Sequence, residues 1–436
     1  AGQNPFAETG WPDPEEPEFP EQELRSFCAT HFARRTEYLG LLASQPSPCF
    51  LFDQARLREN ARRFQESCAL FFPENMIYYA VKSNNHPALA TTLLEESLGL
   101  DVSSGVELGL ALELGAREII FSGPGKTDQE LDLALAHADR TTILLDSFGE
   151  LERLEKRAAV VATSVRCGIR LTASGHHRWR KFGIPTARLP EFWGRVKCSP
   201  YLDLQGLHFH SSWNLTPERQ LAFISELGRT LSTMPKEFCR QLRFIDLGGG
   251  YWPEEGEWLQ YYGTRIGGLA RAAGRDNPMP LKHFRLPALP LVEQLRDLAR
   301  AVAEHLTPRL KSPRFCFEPG RWLCNDTMHL LLQVIDRKEI DLAITDAGTN
   351  SIGWERFVWD YFPILNLSRP ALRERPCEIM GSLCTPDDLW GNSYWGEDLK
   401  AGDYLLIPNQ GAYTYSLRQQ FIKTAAPVVN LACALI

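Results

Sequence analysis

The feature that most constrains this fold is a regular alternation of short apolar runs with longer segments of helical spacing, which begins after Pro48. The short runs are rich in β-branched and aromatic residues, as buried strands are. They cover residues 77–81, 100–102, 119–121, 143–145, 165–171, 204–209, 244–247 and 314–317. Helical spacing lies between them, for example over residues 88–98, 106–114, 130–137 and 217–231. Eight alternations predict an α/β fold, a (β/α)₈ barrel with parallel strands.

The chain has 436 residues, which suits one large domain and a smaller one. Residues 1–47 are predicted to be an arm and a helix that pack on the smaller domain. The first 23 residues are rich in proline and acid and should be extended or partly disordered, whereas residues 24–43 have helical spacing. Residues 48–321 are predicted to form the barrel, with a long insertion at 252–313 that contains a helix at 291–306 and a proline-rich loop. Residues 322–436 should form a mostly β domain, a β-barrel or sandwich, from runs at 329–335, 342–345, 404–408 and 427–431.

Composition excludes several classes of protein. The net charge is −7 with both signs mixed along the chain, so we expect no nucleic-acid partner. The 11 cysteines contain no CxxC pair, which argues against a disulfide framework and against a metal site. Such thiols are typical of a reduced, cytoplasmic protein. No apolar run reaches the ~18 residues of a membrane span, and no secretion signal is visible.

Lys82 ends the first apolar run, at the edge where barrel enzymes place their chemistry. A lysine that follows a buried strand is easily deprotonated, as Schiff-base chemistry requires. The alternative for a lysine taken alone is a solvated surface position.

Glycine and charged residues follow the last two runs. Gly248, Gly249 and Gly250 follow the seventh run, where backbone N–H groups can approach an anion and where barrels commonly bind phosphate. A flexible turn is the alternative. Glu318 and Arg321 follow the eighth run; Arg321 suits a forked contact to phosphate, and Glu318 could instead be its structural partner.

Taken together, these stretches resemble the fold-type III pyridoxal-phosphate-dependent decarboxylases, the family of ornithine, arginine and diaminopimelate decarboxylases with an alanine-racemase-like barrel. The matching stretches run in family order from about residue 48 to the end. They are Tyr79-Ala80-Val81-Lys82-Ser83-Asn84, Leu100-Asp101-Val102-Ser103-Ser104 with Glu107, His208-Phe209-His210-Ser211, Asp246-Leu247-Gly248-Gly249-Gly250, Glu318-Pro319-Gly320-Arg321, Gly381-Ser382-Leu383-Cys384 with Asp388, and Gly411-Ala412-Tyr413-Thr414.

The resemblance implies a cofactor, pyridoxal 5'-phosphate, and a role for each matching residue. Lys82 would hold the cofactor covalently, His210 would stack on the pyridine ring and Glu318 would pair with the ring nitrogen. Cys384, delivered from a second subunit of a homodimer with shared active sites, would protonate the carbon that lost CO₂. Asp388 would line the site of the amino-acid substrate. The phosphate would be held by Gly248, Gly249, Gly250, Gly320, Arg321 and Tyr413.

The chemistry of these residues favours decarboxylation. Loss of CO₂ leaves a carbanion for which a protonated pyridine is the electron sink. A buried carboxylate at Glu318 favours that protonated ring, whereas racemases of this fold place an arginine there. For Cys384 the alternative is a small buried apolar residue.

Three departures from the family pattern concern the phosphate and the far end of the substrate. Ser211-Ser212-Trp213 replaces a small residue followed by Gly-Ser, so Ser212 becomes the candidate phosphate contact. Thr385 stands where an acid usually contacts the substrate. Trp354-Glu355 replaces an Arg-Pro pair, and Arg356 follows as a candidate substrate contact.

These departures predict an altered distal pocket and an amino acid or amino-acid conjugate as substrate, with a siderophore or other specialised pathway as a hypothesis. The alternatives are diaminopimelate or ornithine/lysine decarboxylase proper, an amino-acid racemase, and a non-catalytic pyridoxal-phosphate-binding regulatory protein.

Overall fold

A computed structural model describes residues 15–172, 177–274, 281–353 and 356–431. Within these residues the strands are β1 (Cys49–Phe52), β2 (Asn75–Ala80), β3 (Gly99–Val102), β4 (Ile119–Phe121), β5 (Thr141–Leu145), β6 (Val165–Thr172), β7 (Ile184–Pro185), β8 (Leu202–Phe209), β9 (Phe244–Asp246), β10 (Glu257–Leu259), β11 (Phe284–Leu286), β12 (Arg314–Phe317), β13 (Met328–Glu339), β14 (Leu342–Thr345), β15 (Leu365–Asn366), β16 (Glu374–Met380), β17 (Leu389–Trp395), β18 (Tyr404–Ile407) and β19 (Val428–Asn430).

The α-helices of the same residues alternate with the strands in the first three quarters of the chain. They are α1 (Glu21–Ala33), α2 (Arg35–Gly40), α3 (Gln54–Ala69), α4 (Pro87–Glu95), α5 (Gly105–Glu113), α6 (Asp128–Ala136), α7 (Phe148–Val161), α8 (Leu189–Val196), α9 (Glu218–Thr233), α10 (Lys236–Gln241), α11 (Arg265–Ala272), α12 (Leu291–His305), α13 (Arg321–Cys324) and α14 (Arg356–Trp359).

The chain forms two compact units. The barrel unit takes Leu57–Glu254 and Leu289–Leu323, and the β unit takes the described residues of Ala1–Arg56, Glu255–Ala288 and Cys324–Ile436. This division differs from the predicted barrel limits of 48 and 321, because β1 and much of the insertion lie in the β unit.

The barrel unit is a closed ring of parallel strands. Its order is β5-β4-β3-β2-β12-β9-β8-β6, and a pairing between β5 and β6 closes the ring. Each of the eight predicted apolar runs overlaps one of these strands, so the predicted (β/α)₈ architecture is confirmed. The short β7 adds to the end of β6.

The β unit is built around the long strand β13. The sheet order is β14-β16-β17-β15-β18-β13-β1-β19, and β13 also pairs with β14, which closes six of these strands into a ring. Strand β1 lies outside that ring, antiparallel to β13 and parallel to β19. The prediction of a mostly β second domain is therefore confirmed.

The insertion and the N-terminal arm meet within the β unit. Part of the predicted proline-rich loop is the antiparallel pair of β10 and β11. The arm runs beside β11, because Arg285 N donates to Pro17 O at 2.9 Å and Phe19 N donates to His283 O at 2.8 Å. Phe19 is buried, and the centroid of its ring lies 4.7 Å from that of the Trp258 ring. The described end of the arm is thus extended, as predicted, but it also buries an aromatic side chain.

The sequence predicts neither a membrane-spanning helix nor a disulfide framework, and the described part of the chain bears on both predictions. No helix within it combines the length and the apolar character needed to cross a membrane. The cysteines within it are free thiols. The cytoplasmic location stays a prediction.

Candidate active site at the carboxyl ends of the barrel strands

Lys82 lies in a short turn, Val81–Ser83, directly after β2. Its Nζ lies 2.6 Å from Oδ2 of Asp101, a fully buried carboxylate on the neighbouring strand β3. About a third of the lysine side chain, 31%, is exposed. The amine is therefore fixed by an ion pair at the end of a side chain that remains partly exposed.

Three ionisable residues line up across the neighbouring strands. Arg170 on β6 pairs in register with His208 on β8, which pairs with Asp246 on β9. In-register residues of parallel strands point to the same face, and all three side chains are buried. At the level of these three residues, the interior of the barrel is therefore polar and charged.

Glu318, just after β12, lies between two histidines. Its Oε1 is 3.1 Å from Nε2 of His208, without hydrogen-bond alignment, and its Oε2 is 3.3 Å from Nδ1 of His210. Burial alone would raise the pKa of Glu318, but His208 and Lys82 hold it well below its ordinary value. Burial and the Glu318 charge raise the pKa of neighbouring Asp246 well above its ordinary value. We therefore assign the negative charge of this pair to Glu318.

His210 follows β8 and is neutral near pH 7, because burial lowers its pKa to about 4. Its Nδ1 accepts a hydrogen bond from Gly249 N at 3.1 Å. The ring is thereby oriented by the glycine turn that follows β9. The ligand atoms of His208, His210 and Glu318 all lie within 4.8 Å of one another, a spacing that a metal ion could also bridge.

The turn at Gly248–250 requires glycine at each of its three positions, and a Cβ on Gly248 would lie 2.3 Å from the Phe209 carbonyl oxygen. Gly250 has a φ of +84°, in the region that side chains disfavour. A Cβ on Gly249 would lie 2.2 Å from the Glu318 carbonyl oxygen. Among the described residues, none accepts a hydrogen bond from Gly250 N. A turn with a backbone N–H left for a ligand is suited to an anion.

The structure gives the surroundings of the other predicted phosphate contacts of the barrel unit, which are Arg321, Gly320 and Ser212. Arg321 opens α13, and its guanidinium stacks 4.2 Å above the Trp252 ring. A Cβ on Gly320 would lie 2.8 Å from the Ser83 side chain, so the backbone after β12 passes close to the Lys82 turn. Ser212 is partly exposed, and its carbonyl accepts a hydrogen bond from Arg219. A phosphate contact by the Ser212 hydroxyl stays a prediction.

The chain is similar to known pyridoxal-dependent decarboxylases. Residues 54–265 match the family described as pyridoxal-dependent decarboxylase, pyridoxal binding domain. Diaminopimelate decarboxylase of Methanothermobacter thermautotrophicus is 28% identical over 404 residues, which cover 87% of this chain and 85% of that protein. The corresponding enzyme of Zymomonas mobilis is 25% identical over 389 residues, 86% of this chain and 84% of that protein.

The chain is a pyridoxal-phosphate-dependent amino-acid decarboxylase.

Solved structures of such decarboxylases share its fold. Diaminopimelate decarboxylase from M. jannaschii has a TM-score of 0.73 at 21% identity and covers 89% of this chain and 88% of its own. The Vibrio vulnificus lysine/ornithine decarboxylase, complexed with putrescine, has a TM-score of 0.72 at 19% identity. The match covers 91% of this chain and 98% of that structure's chain.

The barrel unit of this decarboxylase fits its cofactor. Lys82 offers an amine for the cofactor aldehyde, and Glu318 offers an ionised carboxylate for the ring nitrogen. The turn at Gly248–250 offers the backbone N–H of Gly250 for the phosphate, since Gly248 N and Gly249 N already donate to Asp246 and His210. Oε1 of Glu318 has no hydrogen-bond partner among the described residues. When bound, the cofactor supplies the electron sink for the carbanion that loss of CO₂ leaves.

In the β unit, Cys384 and Thr385 belong to a loop between β16 and β17. The Cys384 side chain is exposed in the single chain, and Thr385 is partly exposed. Asp388 at the end of the loop is buried instead. Its carboxylate accepts hydrogen bonds from Thr349 N at 2.7 Å, Thr349 Oγ1 at 2.9 Å and Leu383 N at 2.7 Å. These bonds make it an anchor of the loop that carries Cys384, and its predicted substrate contact stays a prediction.

Arg356, also in the β unit, is committed to neighbouring groups. Its Nη1 donates to the carbonyls of Ala412 at 3.0 Å and Tyr413 at 2.9 Å, and its Nε lies 3.2 Å from Asp360. Tyr413 has a φ of +55°, so Arg356 supports an unfavourable backbone conformation. Trp354-Glu355, which replaces the family Arg-Pro pair, lies outside the described residues.

Asp388→Asn should lower the free energy of unfolding by about 1–3 kcal/mol, because the amide leaves one buried N–H donor of the loop without an acceptor. Chemical denaturation measures the change. Asp387→Asn is the matched control, since the Asp387 side chain is exposed. Equal stability of the two variants would contradict the anchoring role.

Four residues of the site were not singled out from the sequence as members of it: Asp101, Ser122, His208 and Asp246. Ser122 donates a short hydrogen bond to Oδ1 of Asp101. The available signal was an ionisable residue inside an otherwise apolar strand, as in Leu100-Asp101-Val102 and Ile245-Asp246-Leu247. A charge at a buried strand position is rarely tolerated without a partner or a function.

Proposed function

We propose that this amino-acid decarboxylase acts on an amino acid or amino-acid conjugate whose far end differs from that of diaminopimelate. The observation that carries the proposal is the engagement of Arg356, whose guanidinium faces the Ala412 and Tyr413 carbonyls and Asp360. A cation held in this way is poorly suited to a distal substrate carboxylate. Thr385 adds no charge where relatives of the resembled family have an acid.

The residues of the barrel unit would bind the cofactor and control the charge of its ring. Lys82 would receive the cofactor, and Asp101 would hold the displaced ammonium close to the reacting carbon. Glu318, kept ionised by His208 and Lys82, would keep the ring nitrogen protonated. His210, neutral and fixed by Gly249 N, would stack on the ring without adding a competing charge.

The β unit would supply the groups that act after CO₂ has left. In this proposal Cys384 reaches the active site of a second subunit and protonates the carbanion, and Tyr413 contacts the phosphate. The protein would then be a homodimer with shared active sites. The exposure of Cys384 in the single chain agrees with delivery to a partner.

A panel of purified amino acids tests the substrate. The panel contains diaminopimelate, ornithine, lysine and conjugates in which the far amino or carboxyl group is blocked, and CO₂ release is measured for each. We expect kcat/KM for a conjugate or a larger amino acid to exceed that for diaminopimelate by at least about tenfold, the size of one lost charge contact. The highest kcat/KM on diaminopimelate would contradict the proposal. The siderophore or specialised pathway remains a hypothesis that a conjugate substrate would favour.

Diaminopimelate decarboxylation is the second candidate, because proteins of that name are similar to this chain over most of its length. Racemisation is tested in the same reactions by measuring the D-isomer. A non-catalytic regulatory role predicts no CO₂ release from any member of the panel and biological activity that survives Lys82→Ala.

A further inference from the structure

The loop after β8 and the glycine turn after β9 are joined by one buried side chain, that of Asn214. Its Nδ2 donates to Gly249 O at 2.8 Å and to Ser211 O at 3.2 Å. Its Oδ1 accepts a hydrogen bond from Ser211 Oγ at 2.9 Å, and its backbone N donates to Gly250 O at 3.0 Å. Asn214 is fully buried, so these bonds are shielded from water.

The loop after β8 has a backbone conformation that needs support, whereas glycine lets the turn after β9 adopt a positive φ at little cost. Trp213 has a φ of +56°, although its side chain is large, and Gly250 has a φ of +84°. Left-handed conformations of residues with side chains persist only where the surroundings impose them. The Trp213 side chain is 61% exposed, so core packing of the indole cannot be what imposes its backbone. Asn214, the next residue, is hydrogen-bonded both to the loop after β8 and to the glycine turn after β9.

The bonds of Asn214 also decide which backbone groups remain for a ligand. The carbonyls of Ser211, Gly249 and Gly250 all receive hydrogen bonds from Asn214. In the described residues, the N–H groups of Ser212 and Gly250 have no acceptor. Occupied carbonyls and available N–H groups are the arrangement that favours an anion over a cation.

We infer that Asn214 is the positioning residue of the phosphate site: it locks the 211–213 loop to the glycine turn so that the backbone N–H groups of both face the cofactor phosphate. The inference rests on the proposed placement of the phosphate at this turn. It predicts an effect on the phosphate alone, since the amine of Lys82 and the carboxylate of Glu318 make no hydrogen bond to Asn214 in the described structure.

The test compares pyridoxal 5'-phosphate with pyridoxal, which has the aldehyde and the ring but no phosphate. Affinities of the full-length apoprotein for each are measured by absorbance titration of the lysine-bound cofactor, in wild type, Asn214→Ala and Asn214→Leu. We expect both variants to bind pyridoxal 5'-phosphate at least about tenfold more weakly, and pyridoxal within about twofold of wild type. Pyridoxal binding also reports that each variant is folded.

Asn75→Ala is the matched control, since its Nδ2 also donates to a backbone carbonyl, that of Phe72 at 2.7 Å, at the amino end of β2. It should bind both compounds as wild type does. Equal losses for both compounds in the Asn214 variants, or no loss for either, would overturn the positioning role. If wild type binds pyridoxal 5'-phosphate no more tightly than pyridoxal, the placement of the phosphate itself is wrong, which is a separate failure.

Discussion

Lys82→Ala is expected to remove covalent cofactor binding and to lower decarboxylation by ~10³-fold or more, as loss of a group that forms a covalent intermediate does. Lys82 lies at the end of a barrel strand with its amine 2.6 Å from the Asp101 carboxylate. Its charge acts on both His210 and Glu318. The visible absorbance band of the lysine-bound cofactor should disappear in the variant, and borohydride should no longer fix the cofactor to the chain.

Lys236→Ala controls for the loss of a lysine, because Lys236 is exposed at the start of α10. It should keep the absorbance band and the rate of wild type. If borohydride still fixed the cofactor to a single other lysine of the Lys82→Ala protein, the assignment of the reactive amine to Lys82 would be wrong.

Glu318→Gln is expected to lower kcat by ~10²–10³-fold while the cofactor remains bound, since removal of one preorganised charge from a transition state costs about that much. The amide has the size of the carboxylate but cannot hold the ring nitrogen protonated, so the electron sink weakens. The pKa of Glu318 lies well below its ordinary value, so the carboxylate stays ionised as the pH falls to ordinary carboxyl values. The ratio of wild-type to variant kcat should therefore be constant from about pH 6 to 8.

The same reasoning applies to His210, whose pKa of about 4 leaves it uncharged over that range. Glu130→Gln is the control for the substitution itself, because Glu130 caps α6 by accepting a hydrogen bond from Thr127 N at 2.8 Å. It should leave kcat unchanged. A Glu318→Gln enzyme within tenfold of wild type, or one whose defect grows steeply with falling pH, would contradict the role of Glu318.

The barrel could be predicted from the sequence because each of its strands is a short apolar run followed by a helix of its own. Strand β1 shows the limit of that argument. Cys49-Phe50-Leu51-Phe52 is as apolar as a barrel strand, and it comes just before a helix, yet its partners are β13 and β19. Local composition favours burial of a strand but does not determine which strands pair with it. Here the pairing depends on register with residues 282 positions away in β13 (Cys49 with Leu331) and 378 positions away in β19 (Phe50 with Val428).

The site was predictable where reactive residues follow strands and hidden where they lie within them. Lys82, His210, Glu318 and the three glycines stand out by position alone. His208 and Asp246 lie inside strands, and their significance depends on the register that aligns them with Arg170 across the sheet. The bonds of Asn214 to two segments 35 residues apart could not be read from spacing either.

The β unit draws on three separate stretches of the chain, and this has a consequence for biosynthesis. Every strand of the barrel ring has left the ribosome once residue 317 has emerged, whereas β1 must wait for β13 and then for β19 at Val428–Asn430. During that interval the apolar strand Cys49–Phe52 has neither partner. A nascent chain stalled before residue 328 should therefore depend on a chaperone that shields unpaired strands, and a chain released after Asn430 should not.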